Sequence, residues 1–197
     1  MLSELKPALR LLLVLTVLTG VAYPVIVTGL AQALFPFQAN GSLIDMDGKI
    51  IGSALVGQKF SQDRYFHTRP SAAGEGYDAG QSNATNLAPT SRKLVDDLTA
   101  RAAVYRAEYP ADKAPPVPVD LVTSSASGLD PDISPAAALF QVPRVARARH
   151  MNEEQVRMLV VLLIEKRTFG VLGEPRLNLL KLNIALDEMG KGAPAQP

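Results

Sequence analysis

The chain begins with an uninterrupted apolar run that is long enough to cross a membrane. No charged residue lies between Arg10 and Asp45, and the apolar run LLLVLTVLTGVAYPVIVTGLAQALFPF occupies residues 11–37. As a helix this run would reach roughly 40 Å, at about 1.5 Å per residue. The hydrocarbon core of a bilayer needs only about 20 apolar residues. The pattern therefore predicts a transmembrane helix with some turns to spare.

The charges on either side of this run predict its orientation. Lys6 and Arg10 precede the run, whereas Asp45 and Asp47 are the first charges beyond it. Because lysine and arginine favour the cytoplasmic side, the N-terminus is expected in the cytoplasm and the remainder outside. The predicted organisation is a cytoplasmic N-terminus at 1–10, a transmembrane helix at 11–34, an extracytoplasmic accessory domain at 35–189 and a flexible tail at 190–197.

A cleaved signal peptide is the competing interpretation of the apolar run. The sequence Ala31-Gln32-Ala33 does resemble a cleavage site. The apolar core of a signal peptide is only about 7–15 residues long, however, and this run is much longer. The length of the run favours a retained anchor.

Several residues inside the run are unusual for a plain anchor. Pro24 removes a backbone donor and is predicted to kink the helix. Thr16 with Gly20, and Gly29 with Ala33, are pairs of small residues four positions apart, a spacing that lets another helix approach closely. These five residues are the predicted contact with a partner helix. The alternative is that glycine and proline are simply common in membrane helices.

Beyond the run, the pattern first predicts a β-hairpin. Residues 43–46 and 49–51 flank Asp47-Gly48, a pair that suits a type I′ turn because both central residues need positive φ. Residues 54–60 are predicted to continue the sheet. Residues 63–89 lose periodicity and are rich in glycine, proline and small polar residues, which predicts a long structured loop.

The second half of the chain is predicted to be mainly helical. The predicted elements are a helix at 91–108 capped by Thr90, a short buried strand at 121–123, a helix that Ser134 caps with Pro135 at its first position and that bends or ends at Pro143, a helix that begins with Asn152 as its cap and a last helix from Pro175 to Met189. The predicted fold class is α+β. A single N-terminal transmembrane helix is followed by one small extracytoplasmic domain, in which a β-hairpin or short sheet packs with several helices.

Composition excludes several classes of function. The net charge is +1, so no strong field indicates nucleic acid as a partner. The absence of cysteine excludes disulfides, thiol nucleophiles and cysteine-ligated metals. With two histidines and no ligand spacing typical of a metal site, no metal is expected.

Catalytic motifs are also absent from the sequence. It contains neither the G-x-S-x-G nucleophile elbow nor the G-x-x-x-x-G-K-[ST] phosphate loop. Two alternatives stay open at this point. One is an anchored extracytoplasmic hydrolase that uses Ser127, His67 and Asp130; the other is a solute-binding module around Arg69 and Tyr77.

Polar residues in four loop segments are the remaining candidates for function. The structural interpretation is that they satisfy buried backbone groups or pair with one another. The functional interpretation is a contact surface for a membrane partner, anchored by aromatic residues and arginine. The candidates are Tyr65, Phe66, Arg69, Pro70, Tyr77, Asp78, Gly128, Asp130, Glu174 and Arg176.

Five stretches, taken together and in this order, resemble one known family. They are DGKIIGSALVGQKF, YFHTRPSAAGEGYDA, DLVTSSASGLDPDIS, RVARAR and GEPRLNLLKLNIALD. The chain is similar to the C subunits of the Kdp complex, the bacterial high-affinity potassium-transporting P-type ATPase. The similarity extends from the apolar run to Asp187.

The resemblance implies a non-catalytic accessory subunit of the bacterial inner membrane, needed for assembly and activity. The implied partners are a catalytic P-type subunit, a channel-like potassium-binding subunit, a small single-span subunit and membrane lipid. The catalytic subunit would use ATP and magnesium, potassium would be the transported ion, and this chain would hold no cofactor of its own. Family C subunits are described as catalytic chaperones that raise the ATP affinity of the catalytic subunit.

Overall fold

A computed structural model describes residues 2–110 and 112–192 of the chain. Contacts between Cα atoms divide the chain into two compact units, Met1–Ser53 and Ala54–Pro197. The first unit holds the apolar helix and the β-hairpin. The second holds the remaining helices, a second small sheet and the long loops.

The apolar run forms a helix with a local change of winding. Helix α1 (Leu2–Val17) leads into a π-helical turn (Leu18–Ala22), which leads into helix α2 (Tyr23–Leu34). In the π turn the Tyr23 N–H donates to the Leu18 carbonyl, five residues earlier. Pro24 follows at once; it has no N–H to donate and its ring crowds the preceding turn. The wider π turn accommodates this proline without ending the helix.

This helix meets the requirements for a membrane span. The segment Glu4–Leu34 has 31 residues and a mean hydropathy of 2.3, and none of its most apolar window is buried within the chain. It is long and apolar enough to cross a bilayer, as the sequence predicts, and it begins before the predicted boundary at residue 11.

The hairpin is confirmed at its predicted position. Strands β1 (Leu43–Met46) and β2 (Lys49–Ser53) pair antiparallel, following the short helix α3 (Pro36–Ala39). The turn residues Asp47 and Gly48 have φ of 54° and 77°, as a type I′ turn requires. The prediction that residues 54–60 continue this sheet is wrong. They begin with a turn, and the second unit starts there.

The second unit confirms the α+β class. Strands β3 (Asp132–Ile133) and β4 (Leu177–Asn178) form a two-stranded antiparallel ladder, which pairs Asp132 with Asn178 and Ile133 with Leu177. In chain order, the elements of the second unit are α4 (Arg92–Arg106), α5 (Val119–Val122), β3 (Asp132–Ile133), α6 (Pro135–Arg149), α7 (Glu153–Leu162), β4 (Leu177–Asn178) and α8 (Leu179–Gly192).

The core of the second unit lies between the last three helices. The following residues are fully shielded from solvent and belong to one cluster: Val142 and Val145, Val156 and Val160, and Leu182 and Leu186. They come from α6, α7 and α8, and their spacing of three or four residues puts them on one face of each helix. These helices are the platform against which the loops pack.

Two helix starts follow the predicted capping chemistry. The Ser134 hydroxyl accepts a hydrogen bond from the Ala137 N–H at 3.0 Å, with Pro135 at the first helical position. The Asn152 side chain accepts from the Glu154 N–H at 2.8 Å. For α4 the capping residue is Ser91, one residue later than predicted.

Two other element predictions are wrong, and one of the two outcomes predicted at Pro143, an end of the helix, does not occur. The predicted strand at 121–123 is largely a helical turn, α5, because a run of three residues is too short to distinguish a buried strand from a buried helix. Pro143 lies inside α6 without ending it. The last helix begins at Leu179 instead of Pro175, since residues 177–178 pair with β3 first. It continues to Gly192, and residues 193–197 of the predicted tail lie outside the described residues.

Candidate functional site

The backbone of Phe66 and His67 is held by two side-chain amides in place of a strand. Asn183 accepts from the Phe66 N–H at 2.9 Å and donates to the Phe66 carbonyl at 3.1 Å. Gln141 accepts from the His67 N–H at 2.7 Å and donates to the His67 carbonyl at 3.1 Å. Asn183 lies on α8 and Gln141 on α6. The Phe66 ring is thereby fixed in the core, with none of it exposed.

Arg144 of α6 supports the same segment from the side. Its guanidinium donates to the Asp63 carbonyl at 2.5 Å, to the Tyr65 carbonyl at 3.1 Å and to Gln141 Oε1 at 2.7 Å. Its Nε lies 3.4 Å from Glu108 Oε2. Burial raises the pKa of Glu108, and the nearby Arg144 charge offsets part of that rise. The arginine is mostly buried, so its charge serves to hold the loop backbone.

A third group fixes Tyr65 at the surface of α8. The Tyr65 hydroxyl donates to Asp187 Oδ2 at 3.1 Å, and Arg149 Nη2 donates to Asp187 Oδ1 at 2.7 Å. The Arg149 guanidinium also lies 4.9 Å from the centre of the Tyr65 ring, within the range of a cation–π contact. Tyr65 is half-buried and its polar atom is engaged inside the domain.

The rest of the stretch YFHTRPSAAGEGYDA, residues 65–79, packs against the loop that contains Gly128 and Asp130. Arg69 Nη1 lies 2.9 Å from Asp130 Oδ2, which makes a half-buried ion pair. The Tyr77 hydroxyl donates to the Arg69 carbonyl. The Ser71 hydroxyl donates to the Gly128 carbonyl at 2.6 Å and accepts from the Tyr77 N–H at 2.9 Å. Burial raises the pKa of Tyr77 from its ordinary 10.0 to about 12.

Two glycines are required where these loops touch. A Cβ on Gly128 would lie 2.7 Å from the Ala73 nitrogen and 2.9 Å from the Asn83 carbonyl oxygen, and its φ of +69° already disfavours a side chain. A Cβ on Gly57 would lie 2.5 Å from the Asp130 carbonyl oxygen. The motif residues thus form one tightly packed cluster. Glycine is needed at positions 57 and 128 because neighbouring backbone atoms leave no space for a Cβ there.

Asp78 lies at the exposed side of this cluster. Asp78 Oδ1 accepts from the Gly80 N–H at 2.8 Å, which closes a local turn. Asp78 also borders an open, mostly polar concavity of about 760 Å³ lined by Ala72, Gly74, Glu75, Gly76, Asp78, Gln81, Ser82 and Asn83. Pro70 is partly buried between Arg69 and Ser71 along the chain. The concavity is formed by a single stretch of loop, residues 72–83.

Glu174 and Arg176 lie elsewhere, on a segment of residues 165–176 that we call the hairpin arm. Its two sides are joined by the bridges Glu165 to Arg176 and Thr168 to Leu172. Arg176 pairs with Asp132 at 3.1 Å and with Glu165 at 3.2 Å. Burial raises the pKa of Asp132, while the charge of Arg176 acts in the opposite direction. Glu174 pairs with Arg167 at 2.7 Å.

The hydrolase residues are not assembled into a catalytic group. His67 Nε2 lies 3.1 Å from the Gln62 carbonyl oxygen. The Ser127 hydroxyl accepts from the Leu129 N–H at 3.1 Å, and Asp130 is paired with Arg69. In residues 2–110 and 112–192, no group of three or more histidine, aspartate or glutamate side chains could hold a metal ion.

The predicted partner-helix residues are all available on the apolar helix. A Cβ built on Gly20 or Gly29 would have no other atom within 4 Å. Thr16, Pro24 and Ala33 are exposed. Gly20 lies inside the π turn, whereas Gly29 and Ala33 share a face of α2 because they are four residues apart in an α-helix.

The polar residues that hold the loops were not among the predicted site residues. Gln141, Arg144 and Asn183 look in the sequence like ordinary polar positions on amphipathic helices. The only sequence signal for two of them was their inclusion in the motifs RVARAR and LNIALD. Their role depends on contacts with residues 63–67, which are far away along the chain.

Comparison with known proteins identifies the family to which these motifs belong. The sequence model of the family described as "K+-transporting ATPase, c chain" matches residues 5–188, nearly the whole chain. The chain belongs to the KdpC family. This confirms the resemblance drawn from the motifs, and places the chain in a family of subunits of a potassium-transporting ATPase, which is a multi-subunit complex.

Relatives in this KdpC family are similar along almost their entire length. A protein of Rhodopseudomonas palustris strain TIE-1, named potassium-transporting ATPase KdpC subunit, is 55% identical, over 95% of this chain and 98% of its own. A protein of the same name from Methylorubrum populi is also 55% identical, over 97% of this chain and 100% of its own. A third, from Bradyrhizobium diazoefficiens, has the same identity over 95% of this chain.

Proposed function

We propose that this chain is a non-catalytic accessory subunit of a high-affinity, ATP-driven potassium importer, required for assembly and activity. The observation that carries the proposal is the KdpC family match across residues 5–188. The geometry agrees with it, because the polar motif residues of the second unit are engaged in holding its own loops. In this role the subunit acts as a catalytic chaperone that raises the ATP affinity of the catalytic subunit.

We further propose the partners and their division of labour. A catalytic P-type subunit hydrolyses ATP with magnesium, a channel-like subunit binds and passes potassium, and a small single-span subunit completes the complex. This chain has its N-terminus in the bacterial cytoplasm, crosses the inner membrane once and carries its second unit in the periplasm, on the potassium-entry side. The charge asymmetry between Lys6 and Arg10 on one side and Asp45 on the other supports this orientation.

The effect on ATP affinity must then pass through the apolar helix or through assembly. A periplasmic domain cannot touch cytoplasmic ATP. A ligand or subunit changes an affinity only when it binds two states of its partner unequally. The small residues Gly20 and Gly29 and the π turn (Leu18–Ala22) are features of this helix that allow a close, specific contact with a partner helix.

Deletion of residues 1–37 tests whether the helix is the main attachment. The truncated chain should be released from membranes and should fail to co-purify with the ATPase in detergent. The ATPase left behind should show a raised KM for ATP, since the subunit that favours its nucleotide-binding state is gone. Undiminished co-purification of the truncated chain would show that the helix is not the main attachment.

A single substitution makes a sharper version of this test. Gly29→Leu fills the space that a neighbouring helix would occupy, whereas Val27→Leu places the same side chain at an exposed apolar position on the opposite face of the same helix. Gly29→Leu should weaken co-purification and raise the KM for ATP, and Val27→Leu should leave both unchanged. Equal behaviour of the two variants would contradict a contact at Gly29.

A further inference from the structure

The end of the hairpin arm exposes large apolar side chains that the fold of the chain does not use. Phe169 is 90% exposed and Val171 is 73% exposed. Helix α7, which leads into the arm, exposes Leu162 by 79% at its C-terminal end. We call the three exposed apolar residues at the end of the arm the apolar tip surface: Phe169, Val171 and Leu172. Concentrations of exposed apolar side chains of this kind mark interaction sites in soluble domains.

The backbone at the tip makes the phenylalanine harder to explain by folding alone. Phe169 and Gly170 have φ of 54° and 77°, the pattern of a type I′ turn. Asparagine or glycine is favoured at the first of these positions, because a larger side chain in the left-handed region is strained by roughly 1–2 kcal/mol. Phe169 therefore carries both a backbone penalty and near-complete exposure. An intermolecular contact accounts for both.

The charges around the arm distinguish between a protein and a lipid surface as the occupant. Arg167 pairs with Glu174, Arg176 pairs with Asp132 and Glu165, and Lys181 pairs with Glu165 at 3.5 Å. Three of the four basic residues in the described segment 165–181 are therefore matched by carboxylates, and Lys166 is the one without an ion pair. A single unmatched lysine falls short of the clusters of about 4–8 basic residues that recognise anionic lipid. Apolar anchors inside a polar, largely charge-matched rim are the pattern of protein interfaces.

We propose that the apolar tip surface docks into an apolar groove of another subunit of the potassium-transporting complex. The groove has aliphatic or aromatic walls that receive Phe169 and a polar edge that faces the ion pairs of the arm. This inference rests on the proposed function, because it takes the complex as the source of the partner. It also separates the docking surface from the cluster of motif loops around Arg69 and Asp130, which are engaged inside the domain.

The absence of cysteine in the chain gives a direct test. Phe169→Cys and the control Val104→Cys, a position on α4 that is also mostly exposed, each place one thiol on the full-length subunit. Each is labelled with an environment-sensitive fluorophore. Emission is compared for the subunit alone in lipid nanodiscs and for the assembled complex in the same nanodiscs. The label at position 169 should shift to the blue only in the complex, and the label at position 104 in neither.

Other outcomes overturn the proposal in distinguishable ways. A blue shift at position 169 with the subunit alone would identify lipid, or a second copy if it depends on subunit concentration, as the occupant. No shift in a complex whose assembly is verified by co-purification would show that the surface is unoccupied, and would leave the proposed function intact. Failure of the unmodified subunit to assemble with the ATPase would overturn both.

A substitution gives a second readout. Phe169→Ser removes the central anchor without touching the core, and should speed dissociation of the subunit from the detergent-solubilised complex by about tenfold or more. The melting temperature of the subunit should stay within a few degrees, since surface substitutions have small effects. A wild-type dissociation rate for Phe169→Ser would refute the docking of Phe169.

Discussion

The amide clamp on Phe66 provides the strongest test of how the loops are held. Asn183 is 2% exposed, and its side chain makes two hydrogen bonds, of 2.9 and 3.1 Å, with the backbone of Phe66. Asn183→Leu keeps the approximate size of the side chain and removes both bonds. The Phe66 N–H and carbonyl are then buried without partners.

The expected magnitude follows from those two groups. A buried backbone group left unpaired costs about 1–3 kcal/mol, so the two together cost about 2–6 kcal/mol. Added apolar packing by leucine offsets part of this, and a net loss of about 3 kcal/mol is expected. For a domain of this size that corresponds to a fall in melting temperature of about 6–12 °C.

Near-ultraviolet circular dichroism of the full-length chain in detergent is a suitable assay. Four of the five tyrosines, at positions 65, 77, 105 and 109, lie in the second unit, and the chain has no tryptophan. The signal therefore reports mainly on that unit, since only Tyr23 lies on the apolar helix. Gln155→Leu is the matched control, because it makes a similar change at an exposed position on α7 and should alter stability by less than about 0.5 kcal/mol.

The result that would refute the reasoning is equally specific. If Asn183→Leu melts within about 2 °C of the wild type, the Phe66 backbone does not depend on the clamp. The segment would then be held by the burial of the Phe66 ring alone. A similar fall for Asn183→Leu and Gln155→Leu would instead indicate a general effect of leucine on these helices.

Two further predictions concern the loop contacts and the response to pH. Gly128→Ala should destabilise the second unit by at least about 2 kcal/mol in urea unfolding, because the added Cβ meets Ala73 and the φ of residue 128 is positive. Gly190→Ala is the control and should not destabilise the unit, because the nearest atom to its added Cβ is 3.8 Å away. Burial, followed by the charge of Arg144, lowers the pKa of His67 below its ordinary 6.5. Between pH 6.5 and the lower pKa of the folded state, the unfolded chain binds a proton at His67 more readily than the folded chain does. The contribution of His67 to the free energy of unfolding should therefore be fully present above pH 6.5 and should decrease as the pH falls towards the folded pKa. His67→Gln should flatten this acid decline in melting temperature; an unchanged decline would assign it to other groups.

Local chemistry was sufficient to predict a large part of this protein. The apolar run at 11–37 required no tertiary information, because the length of an uncharged segment alone decides whether it can span a bilayer. The Asp47-Gly48 turn and the Ser134 cap were predicted for a similar reason. Each depends on the backbone preferences or hydrogen bonds of neighbouring residues. The π turn before Pro24 was not predicted, although the proline itself pointed to a disturbance there.

Only the tertiary structure decided which residues that are distant along the chain contact one another. Asn183 and Gln141 hold Phe66 and His67 across separations of 117 and 74 residues, and nothing in the local sequence of α6 or α8 encodes those partners. The strand predicted at 121–123 became helix α5 for a related reason, since a short apolar run takes whichever form its surroundings can pair and bury. Through short-range physics, the sequence determined which segment can span a bilayer, where the Asp47-Gly48 turn forms and where Ser134 caps a helix. The fold determined which polar residues support the structure and which apolar residues are left exposed, because burial and pairing are properties of the packed chain.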